Sequence, residues 1–399
     1  MLLNNHKFGD NWLMRPPFNQ PVTQLGETLG RKPGRLFGIY RHDRFFHQFI
    51  LGQTGTGKST LINNLVRQDL ESGEGLCLID PHGDLASELK SDLPERGIYW
   101  DIADPECPYG YNPLSYVTEQ YRPLVASGII DALKNQWSDA WGVRMEHILR
   151  FAILALLSRS GSSLADIVPM FTDRTFRKQV LKSVENKEVL RFWQDEYPKM
   201  NYKNAFDGVA PIANKLGAFL SHPVVRKTLC EPDEPIRFRQ IMDEGTPLIV
   251  NLSKGRLGND ISSVMGGLIL SMITNAAMTR ENVPQVKRKH FFIYVDEFSM
   301  FTTDSIASML SELRKYKVSL CLAGQFLASI PVTIREAILG NVGNMLVFRL
   351  GVNDATLMSK QLGEIDPQSL INLPNYRMFC KLMFDGVQTK AFSAITRKA

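Results

Sequence analysis

Nine consecutive residues, Gly52-Gln53-Thr54-Gly55-Thr56-Gly57-Lys58-Ser59-Thr60, have the types and spacing to hold a chain of phosphates. They fit G-x-x-x-x-G-K-[ST], in which glycines let backbone N–H groups converge on an anion and a following helix adds its positive end. Lys58 then reaches the β- and γ-phosphates of a nucleoside triphosphate, and the Ser59 hydroxyl is placed to bind Mg²⁺. A second pair of groups, Asp296 and Glu297, follows the apolar run Phe291–Val295. An aspartate at such a strand end can hold Mg²⁺, and a glutamate after it can polarise the attacking water. Gln325 stands just past the next apolar run, where an amide can sense the γ-phosphate or position water, unless it is a plain loop residue. The chemistry these residues suit is hydrolysis of ATP with Mg²⁺.

The elements needed to position them are legible in outline. Phe45–Leu51 reads as a buried strand ahead of the loop and Leu61–Val66 as the opening of a helix after it. Gly75–Ile79 reads as a second strand, running into Asp80-Pro81-His82-Gly83-Asp84. That run suits a turn at a ligand-binding strand end, and less well a metal site from Asp80, His82 and Asp84. Further apolar runs at 247–252, 291–295, 318–323, 345–348 and 378–384 alternate with helical stretches, the pattern of a parallel sheet covered on both faces. Between Tyr121 and Pro235 the period is helical throughout, as in Met145, Ile148, Leu149, Ala152, Ile153 and Leu156. The predicted fold is α/β with a mostly parallel sheet. Its parts are an arm or linker at 1–35, an ATPase domain split into 36–120 and 236–399, and an all-helical insert at 121–235.

Composition narrows the class without naming a partner. The chain has 399 residues, 44% hydrophobic and 22% charged, with a net charge of +5, ordinary for a globular protein and only mildly favourable to nucleic acid. Its five cysteines are scattered and form no C-x-x-C pair, which points to reduced thiols and a cytoplasmic protein. No signal peptide or integral membrane segment is expected, and the uncharged run from Ile261 to Thr279 reads as a buried helix. Two basic clusters have equally plain alternatives. Arg31, Lys32, Arg35, Arg41 and Arg44 suit a solvated turn or a phosphate-contacting patch, and Lys254 and Arg256 about Gly255 suit a surface turn or a DNA-contacting loop.

At these residues the chain resembles the HerA/FtsK superfamily, and within it the ATPase domains of conjugative DNA-transfer coupling proteins. The resemblance rests on the phosphate loop, Ile79–Leu85, Tyr111-Asn112-Pro113-Leu114, Asn251–Gly255, Val295–Phe298, Gln325, and Asn341–Asn344 ahead of Phe348-Arg349. It implies a RecA-like motor that assembles as a ring, usually a homo-hexamer, and pulls DNA through its channel. It assigns nucleotide to Lys58 and Ser59, Mg²⁺ and water activation to Asp296 and Glu297, and a phosphate sensor to Gln325. By the same resemblance, Arg314 is an arginine finger acting on a neighbouring subunit, and Arg349 is a second candidate. Sequence position alone makes Arg314 a solvated helix charge. Membrane-anchored members carry amino-terminal transmembrane helices, which this sequence does not show; peripheral attachment through a partner such as a relaxase, nuclease or secretion channel stays open. A secretion or assembly ATPase moving protein fits as well, as does a nucleotide-switched scaffold that recruits an effector.

Overall fold

The computed structural model describes residues 22–30, 33–200, 202–302 and 305–397. Eleven strands form one sheet. In chain order they are β1 (Val22–Thr28), β2 (Leu36–Tyr40), β3 (Gln48–Leu51), β4 (Gly75–Asp80), β5 (Ile98–Asp101), β6 (Leu248–Asn251), β7 (Phe291–Val295), β8 (Val318–Gly324), β9 (Asn344–Val347), β10 (Arg377–Lys381) and β11 (Phe392–Ile395). Their order across the sheet is β2-β1-β11-β10-β9-β3-β8-β7-β4-β6-β5. From β9 to β5 every neighbouring pair is parallel, and from β9 back to β2 every pair is antiparallel. The sheet is therefore α/β and mostly parallel, as the apolar runs predict.

The strand that feeds the phosphate loop, β3, lies well inside the sheet between β8 and β9. Its alternate residues serve two cores. Phe49 and Leu51 join the larger cluster with Cys77, Ile79 and the helices of residues 122–230, while Ile50 joins a second with Leu76, Leu78 and Phe292. The helix Asn259–Met278 covers the first face. It is long and apolar enough to cross a membrane, yet it packs as core, with Val264, Leu268 and Ile273 buried. Its approach to the helix Arg122–Gln136 is so close that a Cβ on Gly128 would stand 2.3 Å from Ser271 Oγ.

Between Arg122 and Cys230 the described elements are helices and helical turns. Tyr109–Gly110 and Glu234–Pro235 pair as a short parallel ladder where this region leaves and rejoins the rest. The aromatic stripes there are packing: Phe192 and Trp193 are buried, and Phe192 stacks on Phe151 at 4.2 Å between centroids.

Three expectations need correction. Residues 22–28 of the expected arm are strand β1, paired with β2 and β11; residues 1–21 and 31–32 lie outside the described residues. The strand expected from Phe45 begins at Gln48, because Asp43–Phe46 forms a helical turn. Of the first basic cluster, Arg41 pairs with Glu74 at 2.5 Å and Arg44 is buried. Its guanidinium grips both oxygens of Asp69 at 2.6 and 2.8 Å and lies 3.6 Å over the Phe292 ring. Tyr294 completes this network by donating to Asp69 at 2.6 Å, which ties the helix after the phosphate loop to β7. A buried pair with two short hydrogen bonds between its charged groups offsets much of the cost of burying them.

His47, entering β3, is buried and neutral. Its Nε2 donates to Leu310 O at 3.0 Å and its Nδ1 accepts the Leu320 N–H at 3.1 Å. Burial holds its pKa down to about 4, and the Arg314 charge adds to this; burial lowers that of His290 to about 4 as well. In the unfolded chain a histidine takes a proton near pH 6.5, and here only near 4, so protons favour unfolding in that window. Stability should decline as pH falls from about 6.5 toward 4, by up to about 1.4 kcal/mol per pH unit for each histidine. Urea midpoints compared at about pH 7 and about pH 5 measure this, and equal midpoints would contradict it.

Candidate active site

After Leu51 the chain turns sharply. Gly55 and Gly57 adopt φ of 74° and 113°, left-handed values that favour glycine, and Lys58 opens the helix α1 (Lys58–Glu71). Leu61, Ile62, Leu65 and Val66 bury the inner face of α1 and fix its start at the end of β3. The loop is braced from within by Thr56 Oγ1, which donates to Gln53 O at 2.6 Å. It is braced from outside by the Gln53 N–H, which donates to Arg349 O at 2.9 Å. Lys58 is buried, and its Nζ donates to Gly52 O at 2.7 Å and Gln53 O at 3.1 Å. Burial lowers its pKa, against the nearby charges of Asp296 and Glu297. These carbonyl contacts hold the ammonium at the floor of the loop.

The end of β7 brings the two carboxylates to the same place. Asp296 is buried, and Ser59 Oγ donates to its Oδ2 at 3.4 Å. Burial, with the neighbouring Asp80 charge, pushes the Asp296 pKa up to about 6, although its Oδ1 accepts the Glu297 N–H at 3.0 Å. The hydroxyl and the carboxylate are the oxygen ligands here that could share one hard cation. Among the described residues no group of three or more His, Cys, Asp or Glu could hold a metal alone. Asp80 in particular is occupied as a turn: its oxygens accept the N–H groups of His82 and Ala86, both at 2.9 Å.

Glu297 has a left-handed backbone, φ 43°, and a crowded carboxylate. Gln325 Nε2 donates to its Oε1, and Thr54 Oγ1 of the phosphate loop donates to Gln325 Oε1 at 3.0 Å. Its Oε2 lies 3.0 Å from His82 Nε2 and 3.7 Å from Lys254 Nζ. Burial alone would raise its pKa, but His82, Lys254 and Gln325 outweigh that and hold it below the usual carboxylate range.

The structure thus brings together Gly52–Thr60, Asp296, Glu297 and Gln325 from the ends of β3, β7 and β8. Arg349 is beside them, donating from Nε to Gln53 Oε1 at 3.2 Å and from Nη1 to Leu373 O at 3.3 Å, over its own phosphate loop. Arg314 is not. It is exposed in the turn Leu313–Tyr316 that precedes β8, with its guanidinium 3.7 Å over the Phe46 ring. Lys254 and Arg256 also differ from the expected loop. Lys254–Leu257 is a helical turn, with Lys254 turned toward Glu297 and Arg256 paired to Asp101 at 3.1 Å.

A cavity of about 370 Å³ adjoins the loop, lined by Ser59, Thr60, Asn63, Asp84 and Tyr376. A larger one, about 650 Å³ and lined by Tyr111, Phe238, Arg239 and Asn275 among others, includes none of the groups above. Size is a poorer guide here than the convergence of a cation, two carboxylates and a glycine-rich loop.

The family described as helicase HerA, central domain, matches residues 46–273. Comparison with curated proteins finds no match. Among solved structures, the chain is similar to the bacterial conjugative coupling protein TrwBdeltaN70, unbound, at 16% identity and a TM-score of 0.67, over 94% of this chain and 89% of that one. It is similar to TrwB in complex with ADP and Mg²⁺ at 15% identity and a TM-score of 0.68, over 96% of each chain. It is also similar to VirB4 of Thermoanaerobacter pseudethanolicus at 13% identity and a TM-score of 0.63, over 94% of this chain and 96% of that one. At such identities the structural likeness speaks for the RecA-like ATPase fold.

Proposed function

The chain belongs to the helicase HerA central-domain family, and on that premise we propose that it is a ring-forming ATPase that moves DNA. The observation that carries this reading is the meeting of Lys58, Ser59, Asp296 and Glu297 at the carboxyl ends of β3 and β7, the two parallel strands that flank β8. Open α/β sheets bind ligands at that edge. The residues fit ATP with Mg²⁺: the loop has glycines at its left-handed positions, a buried ammonium at its floor, and a hydroxyl–carboxylate pair beside it. Complexes of TrwB with ADPNP and with ADP and Mg²⁺ support the choice.

When bound, ATP and Mg²⁺ supply the phosphoanhydride bond and the charge that organises it. Lys58 exchanges the Gly52 and Gln53 carbonyls for phosphate oxygens. Ser59 and Asp296 would hold the cation, Asp296 as its ionised carboxylate. Glu297 takes the proton of the attacking water, and Gln325, tied to both Glu297 and Thr54, reports whether the γ-phosphate is present. Arg349 steadies the loop of its own subunit. Arg314 acts on a neighbour's nucleotide, and residues 121–235 form the helical insert of the ring subunit. DNA would be held by its phosphates, hence with strong salt dependence and little sequence preference.

The reading is tested first at Lys58. Lys58→Ala should bind triphosphate far more weakly and lose turnover, because the other lysine near the site, Lys254, is engaged with Glu297 and His82. Wild-type turnover in that variant would refute the assignment. A motor that moves protein shares this outcome and parts from ours in the response to DNA.

A further inference from the structure

The carboxylate that should activate water is held by side chains from three other strand ends. His82 follows β4, Lys254 follows β6 and Gln325 follows β8, and all three converge on Glu297. Oε2 is paired with His82 Nε2 at 3.0 Å and lies within ion-pair range of Lys254 Nζ at 3.7 Å, and Lys254 Nζ in turn lies 3.2 Å from His82 Nε2. With Oε1 accepting from Gln325, both carboxylate oxygens are engaged by protein groups, and the side chain is only 17% exposed. Glu297 also stands at φ 43°, a conformation that a non-glycine residue keeps only where its surroundings fix it.

We propose that His82 and Lys254 are positioning residues that hold Glu297 withdrawn from water, and that Lys254 releases it by transferring to a phosphodiester group of DNA. The second half rests on the DNA reading given above; the first does not. Lys254 is suited to the exchange. It opens a helical turn at the surface with its side chain 31% exposed, beside Arg256, which is more exposed still at 52%. A lysine on its flexible stem can turn from one anion to another without moving the backbone. Contact with DNA would then remove the Lys254 charge from Oε2 in the same step that anchors the strand.

Two experiments decide this. Lys254→Ala should raise ATP turnover without DNA severalfold and make added duplex nearly without effect, whereas Lys254→Arg should keep the low basal rate. A basal rate in Lys254→Ala that is unchanged, or that falls as in Glu297→Gln, would overturn the inference. The second experiment needs no nucleotide. Acylation of Lys254 by an N-hydroxysuccinimide ester, followed by mass spectrometry, should be slow in the wild type and severalfold faster in Glu297→Ala. Equal rates would overturn the hold on Glu297. A wild type with no ATP turnover at all would defeat the proposed function instead, and the acylation rates would still decide whether Glu297 is held.

Discussion

Arg314→Ala should keep ATP binding and lose hydrolysis by about 10³–10⁵-fold, the range an arginine finger is worth. The placement of Arg314 is the reason to expect a role across subunits. It precedes Val318, the first residue of β8, while the phosphate loop lies beyond Gly324, the last. The length of β8 separates them, roughly 20 Å at about 3.3 Å per residue, far beyond the reach of one side chain. Arg314 cannot touch its own subunit's nucleotide. It is exposed, with its guanidinium on the face of Phe46, so it is available to a neighbour. Lysine should replace it poorly, lacking the planar fork that meets phosphate oxygens. Mixed assemblies of Arg314→Ala and Lys58→Ala should recover part of the activity, since some interfaces then pair an intact loop with an intact finger. Full activity in Arg314→Ala alone would remove the finger and turn attention to Arg349.

Glu297→Gln should also bind ATP and lose turnover, by about 10²–10⁴-fold, the usual cost of removing a general base. The amide keeps the shape of the side chain and cannot take a proton. It can still accept at its oxygen, so contacts with His82 or Gln325 need not all be lost and the fold should be unaffected. The separation of binding from turnover is the diagnostic feature: weakened ATP binding would mean that Glu297 holds the nucleotide or its cation. Normal hydrolysis would pass the base role to another group.

Much of this site is legible in the sequence because its parts are contiguous. A phosphate loop needs its glycines, lysine and serine within nine residues, and each carboxylate sits directly after an apolar strand. What the sequence hides are partners brought together by strand order. Lys254 and Arg256, flanking a glycine, look like a basic loop. Only the order β7-β4-β6 brings Lys254 and His82 to Glu297. Arg44 has the same ambiguity: among other basic residues it looks solvated, but its partner Asp69 is near the far end of α1. The edge of the sheet is hidden for a different reason. Strands β1 and β2 carry glycines at 26 and 38, where a Cβ would stand 2.1 Å from Ile395 O and 2.3 Å from Thr23 O. Close backbone approach at an antiparallel edge thus has the sequence appearance of a linker. β10 was expected among the parallel strands, but it pairs antiparallel with both β9 and β11, a direction that no apolar pattern records.

If ATP hydrolysis at this site drives movement on DNA, as we propose, DNA must change the rate of turnover. The most direct measurement is the steady-state ATPase rate with and without duplex and single-stranded DNA, on protein whose oligomeric state is known. Turnover should depend on Lys58, reside in a ring, and rise severalfold with DNA at low salt. Lysine-dependent turnover that ignores both kinds of DNA would contradict movement on DNA and leave a motor for protein, or a nucleotide-switched scaffold.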